Sequence, residues 1–549
     1  MRIAIAQVNT TIGDFEGNLA RIRRAIARAR DSSAELLVVP ELGICGYPPM
    51  DLLERQTFLR DQTAALEALA PESENLTILT GAVMPAGEGR TKRITNAAVV
   101  LERGAIAFVQ AKTLLPTYDV FDESRYFAPA QERRLWTYRG KRIGLTICED
   151  VWSGEFWGER RPYLVDPVED LVAQGADLIL TISASPWEQR KIQLREHMLC
   201  DAARRHRLPF VFANLVGGND ELIFDGTSFV VDASGKVVER MERFGEDFAV
   251  IDPFVADRPE APPLEDDIEL LERALVLGVR DYLHKLGLSS AVIGLSGGID
   301  SAVTAHIAEC ALGAENVLGI LMPGPFSSEH SVRDAETLVR NLGIEARLIR
   351  IESIYKAYLE EFAALFGSKE TYGLTQENIQ ARIRGALLMA ESNYEGCIVM
   401  ATGNKSELSV GYTTLYGDLV GGLAVIGDVL KRDVYELARH SSREGERVPR
   451  STLEKPPSAE LAPDQLDTDS LPPYDVLDEI LAQAVEQGLP GDEITPPPGA
   501  TSKTVSWVLE QIDRNEYKRR QAPIVLRVSN KAYGTGRRLP IVHRSGWGV

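Results

Sequence analysis

Residues 291–305 read Ala-Val-Ile-Gly-Leu-Ser-Gly-Gly-Ile-Asp-Ser-Ala-Val-Thr-Ala. An apolar run, a Ser-Gly-Gly turn and a segment opened by Asp300 and Ser301 follow one another without a gap. This order predicts a buried strand, a tight turn and a helix N-terminus, the unit from which α/β domains are built. It also predicts an anion site, because the free N–H groups of a first helical turn and the positive end of the helix dipole converge on the turn. Gly297 and Gly298 let the backbone approach a phosphate with no Cβ in the way. No G-x-x-x-x-G-K-[ST] occurs, so this is not a Walker loop. Gly294-Leu-Ser-Gly-Gly298 also fits G-x-S-x-G, the nucleophile elbow of α/β-hydrolases, with Ser296 as nucleophile. A glycine turn and helix cap without any ligand is the third reading, and the residues alone leave these readings open.

Outward from the loop, a helix-period segment begins near Ile268 (IELLERALVLGVRDYLHKLG), and strands and helices alternate again after residue 291. Upstream, Asp252-Pro-Phe-Val-Ala-Asp-Arg-Pro-Glu-Ala-Pro-Pro263 is proline-rich and acidic and reads as a linker. Before it, short β-branched runs (RIAIAQV, AELLVVP, AAVVLERG, AIAFVQ, RIGLTIC, ADLILTISA, LPFVFANLV, TSFVVD) alternate with helical or turn segments. The turns Leu101-Glu-Arg-Gly104 and Asp232-Ala-Ser-Gly235 join neighbouring runs as hairpins, which makes the first half an α/β layered fold with mixed sheets. Two domains are expected, 1–255 and 256–549. Residues 441–473, rich in Pro, Ser and charge, read as a long loop over a surface or site.

The bulk properties narrow the function classes. With 549 residues, two to four domains of about 150 residues each are expected. A formal net charge of −20 disfavours wholesale binding to nucleic acid or an anionic membrane surface. The N-terminus alternates like a strand rather than reading as a signal peptide, and no stretch of about 20 apolar residues exists to span a bilayer. Five scattered cysteines, none in a CxxC, argue against a disulfide framework or structural zinc, so a reducing cytoplasm is expected.

Taken as a unit, S-G-G-x-D-S resembles the pyrophosphate-binding loop (PP-loop) of the ATP pyrophosphatases, which activate a substrate as its adenylate. The resemblance implies a doubly wound parallel sheet, with ATP held by Gly294, Leu295, Ser296, Gly297, Gly298, Ile299, Asp300 and Ser301. It also accounts for Asp300, which an elbow does not require: an acid beside a bound triphosphate suits a Mg²⁺ ligand. Further along, TQENIQARIR (375–384), ATGNKSELS (401–409) and LKRD (430–433) are similar to companion motifs of the NAD synthetases. That family implies ATP contact at Thr402 and deamido-NAD contacts at Asn378, Glu407 and Lys518, with Glu407 a second Mg²⁺ ligand. Lys518, Arg519, Arg520, Arg527, Lys531, Arg537 and Arg538 form a basic exception in an acidic chain, readable either as a solvated face or as partners for a dinucleotide's phosphates.

In the first half, Glu41, Lys112 and Cys148 each follow an apolar run: LLVVP, IAFVQA and IGLTI. A cysteine nucleophile needs a base to form thiolate and a donor beside the oxyanion it creates, and Glu, Lys and Cys supply those parts. Singly they read as a loop acid, a snorkelling lysine and a small core residue. Their surroundings, PELGICGYP (40–48), KTLLPTY (112–118) and CEDVW (148–152), resemble the three signatures of the nitrilase superfamily. That likeness implies an α-β-β-α sandwich in which Glu41 activates Cys148, with Lys112 and the N–H of Glu149 beside the oxyanion. It also implies that Tyr118, Ser185 and Lys191 hold glutamine; Glu123 reads equally as an auxiliary acid or a structural ion pair.

Together the halves are similar to a family that fuses a glutamine amidohydrolase to an adenylating NAD synthetase. The expected substrates are L-glutamine, deamido-NAD and ATP with Mg²⁺, in a homo-oligomer, with ammonia passing by a shielded route. The rivals are a free-standing carbon–nitrogen hydrolase with an idle nucleotide domain, and a dinucleotide-sensing scaffold.

Overall fold

In the computed structural model the described residues are 1–154, 156–157, 163–255, 258–262 and 267–547. The chain forms two compact units, Met1–Leu264 and Glu265–Val549. Residues 256, 257 and 263 of the linker lie outside the described residues, as does the start of the second expected domain at 256. None of the described helices is long and apolar enough to cross a membrane.

The first unit is built on two six-stranded sheets. In chain numbers the first runs 247–251, 3–7, 36–38, 77–85, 94–102, 105–111, and the second 237–240, 229–231, 210–214, 178–183, 141–147, 135–138. Both mix parallel and antiparallel pairs. Period-2 alternation sorts the side chains. Ile3 and Ile5 join Ile143, Leu145, Ile147, Leu178, Leu180 and Ile182 in a core between the sheets, while Ala4 and Ala6 turn outward to a second core. That outer core is closed by the helix Phe15–Asp31, which presents Ile22, Ala25, Ile26 and Ala29 on one face, and by Gln56–Leu69. Asp14 caps the former, its carboxylate accepting from the Gly17 N–H at 2.9 Å. On the opposite side Pro167–Ala173 and Lys191–His206 cover the second sheet through Leu171, Met198, Leu199 and Ala203. The result is the α-β-β-α sandwich.

The second unit has one six-stranded parallel sheet. Its order is Glu345–Leu348, Val317–Leu321, Ala291–Gly294, Ile398–Ala401, Leu423–Ala424, Ile524–Val525. Counted within the unit, that is 3-2-1-4-5-6, so the order reverses between Ala291–Gly294 and Ile398–Ala401. The reversal opens a crevice at the carboxyl ends of these two strands, the usual ligand position in doubly wound folds. The turn 295–298 and the turn 402–404 sit at those ends.

Candidate active sites

Glu41, Lys112 and Cys148 all leave strand ends of the sandwich, and the fold brings them into one sealed pocket. Lys112 Nζ donates to Glu41 Oε1 at 2.8 Å and to Glu123 Oε1 at 2.7 Å; the side chains are 1 %, 0 % and 6 % exposed respectively. Three further donors reach the carboxylates: Asn96 Nδ2 to Glu41 Oε1 at 2.7 Å, the Ala184 N–H to Glu41 Oε2 at 2.8 Å, and the Tyr47 hydroxyl to Glu123 Oε1 at 2.8 Å. Burial alone lowers the affinity of Lys112 for its proton, but Glu123 and Glu41 outweigh it and hold the ammonium firmly charged. Burial, aided by Glu41, pushes the Glu123 carboxyl up to about 7 against the opposing pull of Lys112.

Cys148 follows the strand Lys141–Ile147 with φ = +43°, a conformation a side-chain-bearing residue adopts only under constraint. The constraint comes from Asp150, whose carboxylate accepts from the Ile147 N–H at 3.0 Å and from Thr113 and Leu114 N–H at 2.9 and 2.8 Å. One acid thereby ties the turn carrying Cys148 to the segment following Lys112. Burial and the negative charge of Glu41 push the Cys148 thiol up, while Lys112 opposes them. The resting group is a thiol facing a carboxylate, the arrangement a base-assisted nucleophile requires.

Around this pocket, the Tyr118 hydroxyl donates to Glu149 at 2.9 Å, and the Tyr163 hydroxyl to the same carboxylate at 2.7 Å. Ser185 is buried, its N–H bonded to Asn214 Oδ1 at 2.9 Å, and the Lys191 ammonium lies 5.7 Å from the Trp152 ring centroid. Asn96, Asp150 and Asn214 escape sequence reading because asparagines and aspartates at strand ends and turns are commonplace.

At the second unit's switch point, Gly297 has φ = +78°, and a Cβ there would stand 2.1 Å from the Ser331 carbonyl oxygen. Only glycine fits. Leu295 and Ile299 point into the core, so that residues 294–301 offer the crevice mainly backbone, the exposed Ser296 hydroxyl and Asp300. The Ser296 and Ser301 hydroxyls lie 3.2 Å apart, and the Gly298 N–H donates to Ser296 Oγ at 3.2 Å. These partners belong to a helix start rather than to a nucleophile paired with a base, which removes the ground for the elbow reading.

Asp300 and Glu407 meet across the crevice at Lys431. Its Nζ is 2.5 Å from Asp300 and 3.4 Å from Glu407, and it is 2 % exposed, whereas the acids are 19 % and 16 % exposed. Asn404 donates to Asp300 Oδ1 at 2.8 Å and, with Glu407, forms the capping box of the helix Lys405–Val410. Burial, then Asp300, pushes the Glu407 carboxyl up to about 8. Asp467, from the 441–473 loop, accepts from the Tyr474 hydroxyl at 2.9 Å, and the Tyr412 hydroxyl also bears on its carboxylate. Two facing carboxylates already holding a lysine cation, Asp300 and Glu407, suit a hard divalent ion such as Mg²⁺. The same loop reaches the glycine turn, where Thr452 Oγ1 lies 3.5 Å from the Gly297 oxygen.

Thr402 follows the strand Ile398–Ala401. Asn378 and Lys518 instead gather the 411–418 segment: Asn378 accepts from the Thr414 hydroxyl at 2.9 Å, and Lys518 donates to the Gly411 and Thr413 carbonyls at 2.7 and 2.8 Å. Of the C-terminal basic run, Arg519, Arg520 and Arg537 are bound to Glu516. Much of that run is therefore internal pairing rather than an open cationic face.

The fold and the two sites define an amidase of the carbon–nitrogen hydrolase type joined to an adenylate-forming synthase. Residues 2–253 match the carbon-nitrogen hydrolase family model and residues 271–522 the NAD synthase model. The chain is 47 % identical to a glutamine-dependent NAD(+) synthetase of Synechocystis sp., with 98 % of each chain covered, and 42 % identical to that of Thermotoga maritima, with 99 % of each covered. A solved glutamine-dependent NAD+ synthetase from Acinetobacter baumannii, in complex with adenosine diphosphate, superposes with a TM-score of 0.78 at 36 % identity, with 98 % of each chain covered. The chain belongs to the glutamine-dependent NAD(+) synthetase family.

Proposed function

We propose that this protein amidates deamido-NAD to NAD⁺ at the expense of ATP, with L-glutamine as the source of ammonia. The observation that carries the reading is the presence, in one chain, of a sealed Glu41–Lys112–Cys148 pocket and a phosphate loop at a sheet switch point. Glu41 takes the Cys148 proton as the sulfur attacks the side-chain carbonyl of glutamine. Lys112 and the Glu149 N–H face the oxygen on which charge develops. The tetrahedral centre collapses to a glutamyl thioester, ammonia leaves with the proton from Glu41, and a water activated by Glu41 releases glutamate. Tyr118, Ser185 and Lys191 hold the glutamine.

In the second unit, backbone N–H groups of 294–301 and Thr402 hold ATP, and Asn378, Glu407 and Lys518 hold deamido-NAD. The nicotinate carboxylate attacks the α-phosphate, pyrophosphate leaves, and ammonia displaces AMP from the acyl-adenylate. Asp300 and Glu407 would hold Mg²⁺, which when bound neutralises triphosphate charge. Lys431, already between these acids, keeps them oriented.

Cys148→Ala, assayed with glutamine and with ammonium, tests the division of labour. Glutamine-dependent NAD formation vanishes and ammonium-dependent formation survives. Equal loss with both donors from folded protein would overturn the scheme, and amide hydrolysis with no NAD formed from either donor would favour a free-standing hydrolase.

A further inference from the structure

At the far end of the helix Ile299–Leu312, His306, Glu309 and Cys310 fall at i, i+3 and i+4, on one face. Their ligand atoms all lie within 4.8 Å of one another. The Arg447 guanidinium sits at their convergence: Nε donates to His306 Nδ1 at 3.0 Å, and Nη2 pairs with Glu309 and lies 3.9 Å from Cys310 Sγ. Arginine can only donate, so His306 Nδ1 must present its lone pair to the cation. The ring proton is then on Nε2, which faces Glu272 Oε1 at 3.6 Å, with His440 Nε2 4.0 Å from the other oxygen of that acid. A buried imidazole with one nitrogen offered and the other facing a carboxylate is the geometry of a metal-ligating histidine.

We propose that His306, Glu309 and Cys310 form a binding site for a borderline-soft divalent cation of the zinc class, which enters by displacing the Arg447 side chain. The charges balance: Arg447⁺ leaves, the Cys310 thiol gives its proton to solvent, and the dication takes two negative ligands and one neutral nitrogen. A nitrogen, a sulfur and a carboxylate oxygen select zinc-like ions over magnesium, which separates this site from Asp300 and Glu407. Cys310 is exposed, so the ion has an entry path. Arg447 belongs to the segment that continues through Ser451, bonded to Asp334, to Thr452 at the Gly297 carbonyl. Its displacement loosens a strap that ends at the phosphate loop.

The test is titration of the full-length, metal-free protein with Co²⁺, read as the cobalt–thiolate charge-transfer band, with amide hydrogen exchange over 446–455. The band grows in wild type, is lost in Cys310→Ser and weakens in His306→Gln. If Arg447 is seated in nine molecules of ten, Arg447→Gln removes the competitor and tightens binding about tenfold. Exchange over the strap quickens on metal addition in wild type. No band in wild type, a band that persists in Cys310→Ser, or affinity and strap exchange indifferent to Arg447 and metal would each overturn the proposal.

Discussion

Glu41→Gln is the sharpest probe of the sealed pocket because it removes a charge and a base while keeping the volume. Glu41 Oε1 accepts from Lys112 and Asn96, and Oε2 from the Ala184 N–H. Every partner donates, so an amide cannot satisfy both ends. Its oxygen turns toward Lys112 and Asn96, and its NH₂ then faces the Ala184 N–H, leaving two buried donors in opposition. One orphaned buried group costs about 1–3 kcal/mol. Lys112 retains Glu123 at 2.7 Å, so the larger cost of an unpaired buried cation, about 3–5 kcal/mol, is not reached. Unfolding stability should fall by about 1–3 kcal/mol in urea titrations. Glutamine-dependent turnover should fall by about 10²–10⁴, the scale of a positioned general base. Ammonium-dependent NAD formation should be unchanged. Wild-type glutamine turnover in this variant, or parallel loss with both donors from folded protein, would refute the assignment of Glu41 as the base.

Three further outcomes follow from the second unit. Gly297→Ala, with φ of +78° and a Cβ placed 2.1 Å from the Ser331 oxygen, should cost about 1–3 kcal/mol or more and abolish ammonium-dependent NAD formation; an active variant would show that the turn does not touch ATP. Lys431→Met leaves Asp300 and Glu407 facing each other without a cation and should destabilise by about 3–5 kcal/mol. Mg²⁺ should raise its melting temperature more than it raises that of wild type, and indifference to Mg²⁺ would count against these acids as ligands. Glu407, pushed from 4.5 to about 8 in the fold, holds a proton that the unfolded chain releases. Native protein therefore binds more protons than unfolded between those values, and this group's contribution makes stability fall as pH rises through that window. Urea midpoints across pH should show a flatter slope for Glu407→Gln; an identical slope would place the proton elsewhere.

The strands most legible in the sequence are those within unbroken apolar runs, such as 36–38 and 178–183. The strand Thr77–Pro85 has Gly81 in its middle, where a Cβ would stand 2.0 Å from the Leu42 nitrogen, so the residue that makes the close packing possible is also the one that interrupts the pattern. The hairpin of Val216–Asn219 and Leu222–Asp225 is hidden in the same way by Gly217 and Gly218. Among site residues, Glu41, Lys112 and Cys148 stand out because each is a reactive group at the end of an apolar run. Asn404 carries a readable signal as well, since Asn-x-x-Glu to Glu407 is a capping box. Asp150 and Asp467 carry none, because an acid that collects backbone N–H groups or closes a loop is defined by partners far along the chain. Glu123 shows the same limit: its 2.7 Å contact with Lys112 arises from packing and leaves no mark on its neighbours in the sequence.

Both sites rest on one electrostatic device, a buried lysine between two carboxylates, and the difference in their exposure assigns them different work. Around Lys112 the acids are almost fully enclosed and every oxygen but one has a donor in the protein. Such a cluster cannot admit an ion, and its freedom lies in where one proton sits, which suits proton transfer at sulfur. Around Lys431 the acids keep roughly a sixth to a fifth of their side-chain surface open. There the lysine holds two acids in register without sealing them, and a further positive charge remains favourable. A polyanionic substrate can approach this acidic crevice only if a cation comes with it. In the proposed reaction that requirement ties the glycine turn, which contributes N–H groups but no cationic side chain, to the carboxylates across from it: the turn would hold the phosphates, and the acids would hold the cation that makes the phosphates tolerable there.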